Sequence, residues 1–343
     1  MPGADPTAMS SLDSVLDVQG LSIEALSPVG EALPLVKNVA FSCRAGEITA
    51  LIGESGSGKS LTAAAMLGVL PPETYRVTTR SLLVAGHRLE SYIPEALAPV
   101  RGSRVGYVVQ EPGTALDPTM RVGDQLAELF MVHRGLGRAA ARREAIRHLD
   151  LVRIPNAVAR ADDYPHSFSG GMKQRVIIAG AVALSPQLLV ADEPTTALDV
   201  TVQAEILALI DELRSNIGMA VLLITHDLGV VYQVAHHVLV MYAGRIVESG
   251  DVETVCTTPA HPYTAGLLAS VPDLARPGAV TAAIPGNPPR PGPDRGCAFM
   301  PRCARAEAPC SLTIPLLTPA GRSDAACHYP LRTESHGRAS ALH

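Results

Sequence analysis

Along this chain the apolar positions mark out strands and helices in alternation. Residues 14–50 read as antiparallel β material leading into a mostly apolar strand, Ile48 to Ile52. "GRAAARREAIRHLDLVRI" (137–154) sets Ala141, Ile146, Leu149 and either Leu151 or Val152 at roughly helical spacing, with arginines between them. That pattern predicts a helix with a solvated basic face. "VQAEILALIDELRSNIG" (202–218) predicts an amphipathic helix closed by its glycine. The helix joins two apolar strands, Leu188 to Ala191 and Val221 to Thr225, as an alternating α/β fold requires. The longest apolar stretch, "VIIAGAVALSPQLLVA" (176–191), is interrupted by Ser185, Pro186 and Gln187. A membrane span needs about 20 mostly apolar residues, so a buried helix, a turn and a buried strand are expected instead.

Composition narrows the picture modestly. A chain of 343 residues points to one large domain with an appendage, and 47% hydrophobic content is enough for a substantial core. A net charge of −5 gives no support for a nucleic-acid binder. The first basic residue is Lys37, so the start lacks the charged region of a signal peptide. The chain is expected to be soluble and cytosolic, and to meet any membrane through partners.

The richest chemistry lies in "EITALIGESGSGKSLTAAAMLGVL" (47–70), where the apolar strand runs into Gly53-x-x-x-x-Gly58-Lys59-Ser60 and then a helical pattern. This is the strand–loop–helix context of a phosphate loop. Its glycines let backbone N–H groups turn toward phosphate oxygens, and the helix N-terminus adds its positive end. Gly53, Glu54, Ser55, Gly56, Ser57, Gly58, Lys59, Ser60 and Leu61 are the candidate nucleotide-binding residues. Lys59 would contact the β- and γ-phosphates, and the Ser60 hydroxyl would ligate Mg²⁺. "QLLVADEP" (187–194) supplies a carboxylate pair at a strand end. By itself that is commonly a solvated tip. Beside a phosphate loop, Asp192 would hold Mg²⁺ and Glu193 would act as general base. "SFSGGMKQRVIIAGAVAL" (167–184) opens a helix with Ser169, Gly170 and Gly171, which serve equally as a plain cap or as an anion-binding terminus.

Motif order resolves these ambiguities. Phosphate loop, "VVQEP" with Gln110, "FSGGMKQR", "LLVADEP", "TALD" (196–199) and "LLITHD" with His226 succeed one another across about residues 50–230, and this series resembles the ATP-binding cassette (ABC) family. The resemblance implies a phosphate-loop cassette with a RecA-like core, an antiparallel β subdomain and a helical signature subdomain at about 92–180. It implies ATP and Mg²⁺, with Gln110 joining Ser60 and Asp192 around the metal and coupling to membrane subunits. Ser169, Gly170 and Gly171 would touch the γ-phosphate of ATP held by an opposite cassette, Asp199 would lie at the dimer interface, and His226 would be the switch histidine. One feature departs from the family: no aromatic residue precedes the loop to stack on adenine, and Ala25 or Leu26 stands at that place. Phe41 reads as an inward strand residue.

After residue 262 the character changes. "HPYT" (261–264), the "PGNPP" run and "GCAFMPRC" resemble the C-terminal extension of the peptide/nickel branch of ABC importers. Five prolines between Pro285 and Pro293 predict an extended linker or wrapping arm. The expected division is a disordered lead (1–13), a cassette (14–262) and a small Cys-rich extension (263–343). Cys297, Cys303, Cys310 and Cys327 are spaced C-x5-C-x6-C-x16-C, a moderately specific pattern that suits Zn²⁺ or an iron–sulfur cluster and leaves an unmetallated quartet as a third alternative. The resemblance favours a [4Fe–4S] cluster over Zn²⁺, with His328 a bystander and the cluster structural, because so small a segment has little core of its own. Cys43 and Cys256 read as core residues. The implied partners are a second, paralogous cassette, two permease subunits and, indirectly, an extracytoplasmic substrate-binding protein, with no nucleic acid. The implied place is the cytoplasmic face of the membrane, and the implied work is ATP hydrolysis that drives oligopeptide or dipeptide uptake. Nickel or metallophore uptake is the alternative. A soluble non-transport ABC ATPase and a redox-sensing iron–sulfur protein are lesser ones.

Overall fold

The computed structural model describes residues 14–27, 32–196, 198–270, 283–293 and 295–331. The expected lead at 1–13 lies outside them. Among the described residues, strands β1 (Ser14–Leu26), β2 (Ala32–Arg44), β4 (Tyr75–Thr78), β5 (Ser81–Val84) and β6 (His87–Leu89) make an antiparallel sheet. An eight-stranded sheet is formed by β3 (Ile48–Ile52), β7 (Val105–Val108), β8 (Leu188–Asp192), β9 (Ala220–Thr225), β10 (His237–Tyr242), β11 (Arg245–Asp251), β12 (Thr318–Ala320) and β13 (Ser323–Ala325). Its order is β12-β13-β11-β10-β3-β9-β8-β7, and the five strands from β10 to β7 are parallel. Every residue of β3, β8 and β9 is buried, which explains why these strands read as mostly apolar rather than alternating.

Helices cover the sheet. They are α1 (Lys59–Met66), α2 (Val122–Arg134), α3 (Arg138–Leu151), α4 (Gly170–Val182), α5 (Val200–Ile217), α6 (Leu228–Val234), α7 (Val252–Thr257) and α8 (Pro262–Ala269). In α5, Ile206, Leu209, Ile210 and Leu213 form the buried stripe, and Gly218 ends the helix at φ 74°, a left-handed position that suits glycine. In α3 the buried face is Ala141, Ala145, His148 and Leu149. Between the two residues left open there, Val152 is buried and Leu151 is 40% exposed.

Two boundaries are corrected. Val105–Val108 falls inside the span expected to be helical, yet it pairs in parallel with β8 at the edge of the core sheet. Hairpins at residues 75–89 enlarge the antiparallel sheet beyond the 14–50 expected for it. The C-terminal segment likewise does not stand apart. β13 pairs with β11, so the cassette's own sheet continues into it. Phe299 is buried against Tyr242 and Tyr263, with ring centroids 5.3 and 5.4 Å away. The segment's missing core is therefore supplied by the cassette. Glu248, fully buried, fixes the junction by accepting hydrogen bonds from Ala260 N (2.7 Å), His261 N (2.9 Å) and Ser323 Oγ (3.0 Å).

Candidate nucleotide-binding site

The parallel strands carry the chemistry at their C-terminal ends, where open α/β sheets place ligands. β3 runs into the phosphate loop, β8 into Glu193, β9 into His226, and β7 ends two residues before Gln110. In the loop, Gly53 lies at φ 152°, Gly56 at 76° and Gly58 at 108°. A Cβ on Gly53 would stand 2.1 Å from the Met241 carbonyl oxygen, so glycine is required there by contact as well as by conformation. The loop encloses Lys59. Its Nζ donates to the carbonyls of Gly53 (2.8 Å) and Glu54 (3.0 Å), and burial lowers its pKa although Glu193, Asp192 and Glu54 oppose that shift.

The acidic pair is split by environment. Asp192 is buried and its carboxyl is pushed up by burial, while Ser60 Oγ donates to its Oδ1 at 3.1 Å. Glu193 has a left-handed backbone, φ 47°, at the turn out of β8. Its Oε2 accepts from Gln110 Nε2 (3.0 Å) and Thr196 Oγ1 (2.8 Å), and its Oε1 lies 3.2 Å from His226 Nδ1. Burial pushes the Glu193 carboxyl up, but the bonds from Thr196 and His226 outweigh it and hold the group below the usual carboxylate range. A carboxylate kept ionised beside a phosphate loop can accept a proton from attacking water. Ser60 and Asp192, adjoining hard oxygen donors at the foot of the loop, fit Mg²⁺.

A cavity over the loop is lined by Ser55, Gly56, Gly58, Lys59, Ser60, Leu61, Gln110 and Glu193. Ser169, Gly170, Gly171 and Asp199 do not line it. Ser169 Oγ caps α4 by accepting from Met172 N at 3.3 Å, and Asp199 Oδ1 caps α5 by accepting from Val202 N at 3.0 Å. The two caps are neighbours, because a Cβ on Gly171 would meet Val202 Cγ1 at 2.6 Å.

Comparison with known proteins agrees with this geometry. The family model described as "ABC transporter" matches residues 36–196, and "Oligopeptide/dipeptide transporter, C-terminal region" matches residues 247–310. The oligopeptide transport ATP-binding protein OppD of Escherichia coli is 44% identical over 315 residues, covering 91% of this chain and 92% of that protein. The dipeptide transport ATP-binding protein DppD of Bacillus subtilis is 44% identical over 305 residues, covering 89% and 91%. This chain is an ATP-binding subunit of the ABC transporter family. Among solved structures, CbiO1 from Clostridium perfringens superposes with a TM-score of 0.59 at 28% identity, covering 72% of this chain and 92% of that one. A dimeric cassette bound to ADP and phosphate, MJ0796, shares the fold at a TM-score of 0.60 and 24% identity, covering 69% of this chain and 98% of that one. ABC subunits of this kind are ATPases coupled to transport.

In this ABC subunit the C-terminal segment reaches the phosphate loop, a contact that no local motif signals. The Arg302 guanidinium grips Glu54 with two bonds, Nη1 to Oε2 at 2.8 Å and Nη2 to Oε1 at 2.9 Å, and Arg302 is 9% exposed. Glu54 N also donates to the Tyr263 hydroxyl at 2.9 Å, so the "HPYT" tyrosine holds the loop's backbone. Cys297, Cys303, Cys310 and Cys327 line one small cavity with Phe299 and His328. Burial, and then the neighbouring thiols, raise Cys297 and carry Cys327 to about 11. Among the described residues no group of three or more His, Cys, Asp and Glu side chains is arranged to hold a metal ion, so neither the expected iron–sulfur cluster nor Zn²⁺ is supported by this geometry. His328 is engaged elsewhere, its Nε2 3.0 Å from the Thr313 carbonyl oxygen. Cys43 is fully buried and raised to about 12 by burial, as a core residue. Cys256 is half-buried on α7. Neither Ala25 nor Leu26 lines the nucleotide cavity, and Phe41 is buried.

Proposed function

We propose that this chain powers uptake of oligopeptides or dipeptides from the cytoplasmic face of the membrane, as one of two cassettes that close on ATP. The observation that carries the catalytic part is the Glu193 carboxylate, held by Gln110, Thr196 and His226 at the rim of the phosphate-loop cavity. Lys59 and the loop N–H groups bind the β- and γ-phosphates. Ser60, Asp192 and Gln110 hold Mg²⁺, which when bound neutralises charge on those phosphates. Glu193 takes the proton of the attacking water, and His226 orients Glu193 and the γ-phosphate side. Ser169, Gly170, Gly171 and Asp199, exposed or half-exposed and turned to helix capping, serve the site of the opposite cassette, which is a paralogue.

The peptide cargo is supported by the C-terminal-region match and by relatives whose names carry oligopeptide and dipeptide transport. Membrane attachment is through permeases, and no helix among the described residues is long and apolar enough to cross a bilayer. A groove beside Gln110, lined by Val109, Leu116, Leu129, Ile177 and Ala181, is the docking surface for a permease helix. Co-expression with the permeases and binding protein, followed by dipeptide uptake into vesicles loaded with ATP, tests the reading. Stable association with ribosomes or DNA in place of permeases would overturn it.

The cysteines fit into the same reading as ligands of an iron–sulfur cluster. Zn²⁺ would need all four thiolates at about 2.3 Å from one point, and the described geometry has no such point. A [4Fe–4S] cluster would take its four thiolates on separate irons, and the support for it is that Cys297, Cys303, Cys310 and Cys327 all line one cavity. Iron and sulfide assays on anaerobically purified protein should find both, and a protein free of iron would remove the cluster from the reading.

A further inference from the structure

The phosphate-binding half of the cavity is complete, but its other half lacks the expected ring. Beyond the loop and the carboxylates, the cavity is lined by Pro34, Leu35, Lys37 and Ala243 from the cassette, and by Pro289, Arg290 and Pro291 from the C-terminal arm. No aromatic side chain is among these described lining residues. A triphosphate seated on the loop takes the glycines, Lys59 and Ser60, so its base and ribose must leave toward this second wall.

The arm is fastened in place there. Arg302, while gripping Glu54, donates from Nε to the Pro285 carbonyl oxygen at 2.9 Å and from Nη2 to the Ile284 carbonyl oxygen at 3.5 Å. One guanidinium thus ties the root of the arm to the phosphate loop. Four residues beyond Pro285, the arm forms the cavity wall. Proline fixes φ and has no N–H to satisfy, so a Pro-Arg-Pro segment is extended and loses little entropy on meeting a ligand. An arginine held between two prolines presents a planar cation suited to stacking on a π-face.

We propose that Pro289, Arg290 and Pro291 form the base platform of this ATPase, with the Arg290 guanidinium stacked on the purine in place of the absent aromatic residue. Arg290 is then a specificity-determining residue, contributed by the segment matched as the oligopeptide/dipeptide C-terminal region. The inference rests on the phosphate loop being the nucleotide site. Calorimetric titration of the full-length protein with MgATP and with magnesium tripolyphosphate, which has no base, separates the two. Arg290→Ala should raise the dissociation constant for ATP roughly three- to tenfold, the range of a partly desolvated cation–π contact, and leave tripolyphosphate within about twofold. Equal loss for both ligands would make Arg290 a phosphate contact and overturn the platform. No change for either would overturn it too, because Arg290 is exposed and its loss does not threaten folding. Lys59→Ala should weaken both ligands. If it leaves ATP binding intact, the site assignment itself fails, independently of Arg290.

Discussion

Two anion-directed glycine-rich turns, the phosphate loop and the signature, sit in the same chain in opposite conditions. In the loop the charged and metal-side groups have partners within the chain: Lys59 on the Gly53 and Glu54 carbonyls, Ser60 on Asp192, and Glu54 on Arg302. In the signature, Ser169 caps only its own helix and Gly170 is exposed. The loop is preorganised by these internal bonds, and preorganised dipoles cost no rearrangement when charge develops. The signature is a finished helix terminus with nothing in its own chain to act on. On the proposed reading, binding is a property of one chain, while turnover needs a second.

The strongest challenge to that contrast is Glu193→Gln. Loss of a general base should lower kcat about 10²–10⁴-fold while ATP binding persists, measured by phosphate release and nucleotide titration. A fall of less than tenfold would move the base elsewhere. Next comes the support beneath the loop. Arg302→Ala leaves Glu54 without its partner and should cost about 3 kcal/mol in urea unfolding, as breaking a mostly buried ion pair does. Adding Glu54→Ala should recover part of that loss, and strict additivity in the double-mutant cycle would deny the clamp.

A smaller effect is set by pH. Burial lowers His261 from 6.5 to about 4, and its Nδ1 accepts from Tyr263 N at 3.0 Å at the start of α8. The unfolded chain takes up a proton near 6.5 that the folded chain refuses, so stability is full above that pH and falls toward pH 4. Between pH 7 and pH 5 the loss should amount to about 2 kcal/mol. His261→Asn, which keeps a cap acceptor but does not titrate, should flatten the unfolding midpoint between pH 7 and pH 5. Least of all, Ser169→Ala and Asp199→Ala should each cost about 1 kcal/mol as lost caps, with ATP affinity of the isolated chain unchanged within twofold. A larger fall in single-chain affinity would place the signature inside its own site.

Legibility followed the range of the interactions. Gly53 to Leu61 was readable because the loop's conformation is dictated by residues a few positions apart. Asp192 and Glu193 were readable only because the phosphate loop gave meaning to an acidic pair that would otherwise read as a solvated strand tip. Val105–Val108 was missed, since four residues between helical stretches carry no period of their own. The pairing of Arg302 with Glu54, 248 positions apart, had no local sign at all. Neither had the buried Glu248, which looks in sequence like any solvated strand residue.

Sequence alone determined the family, the phosphate loop and the acidic pair that ends β8. These rest on short-range geometry that a peptide of that order must adopt. Tertiary structure alone decided where the C-terminal segment lies, which phosphate-loop residue it holds, and that its proline arm closes the nucleotide cavity. Such contacts join segments hundreds of residues apart, and they exist only because β11 and β13 pair and Phe299 enters the cassette core.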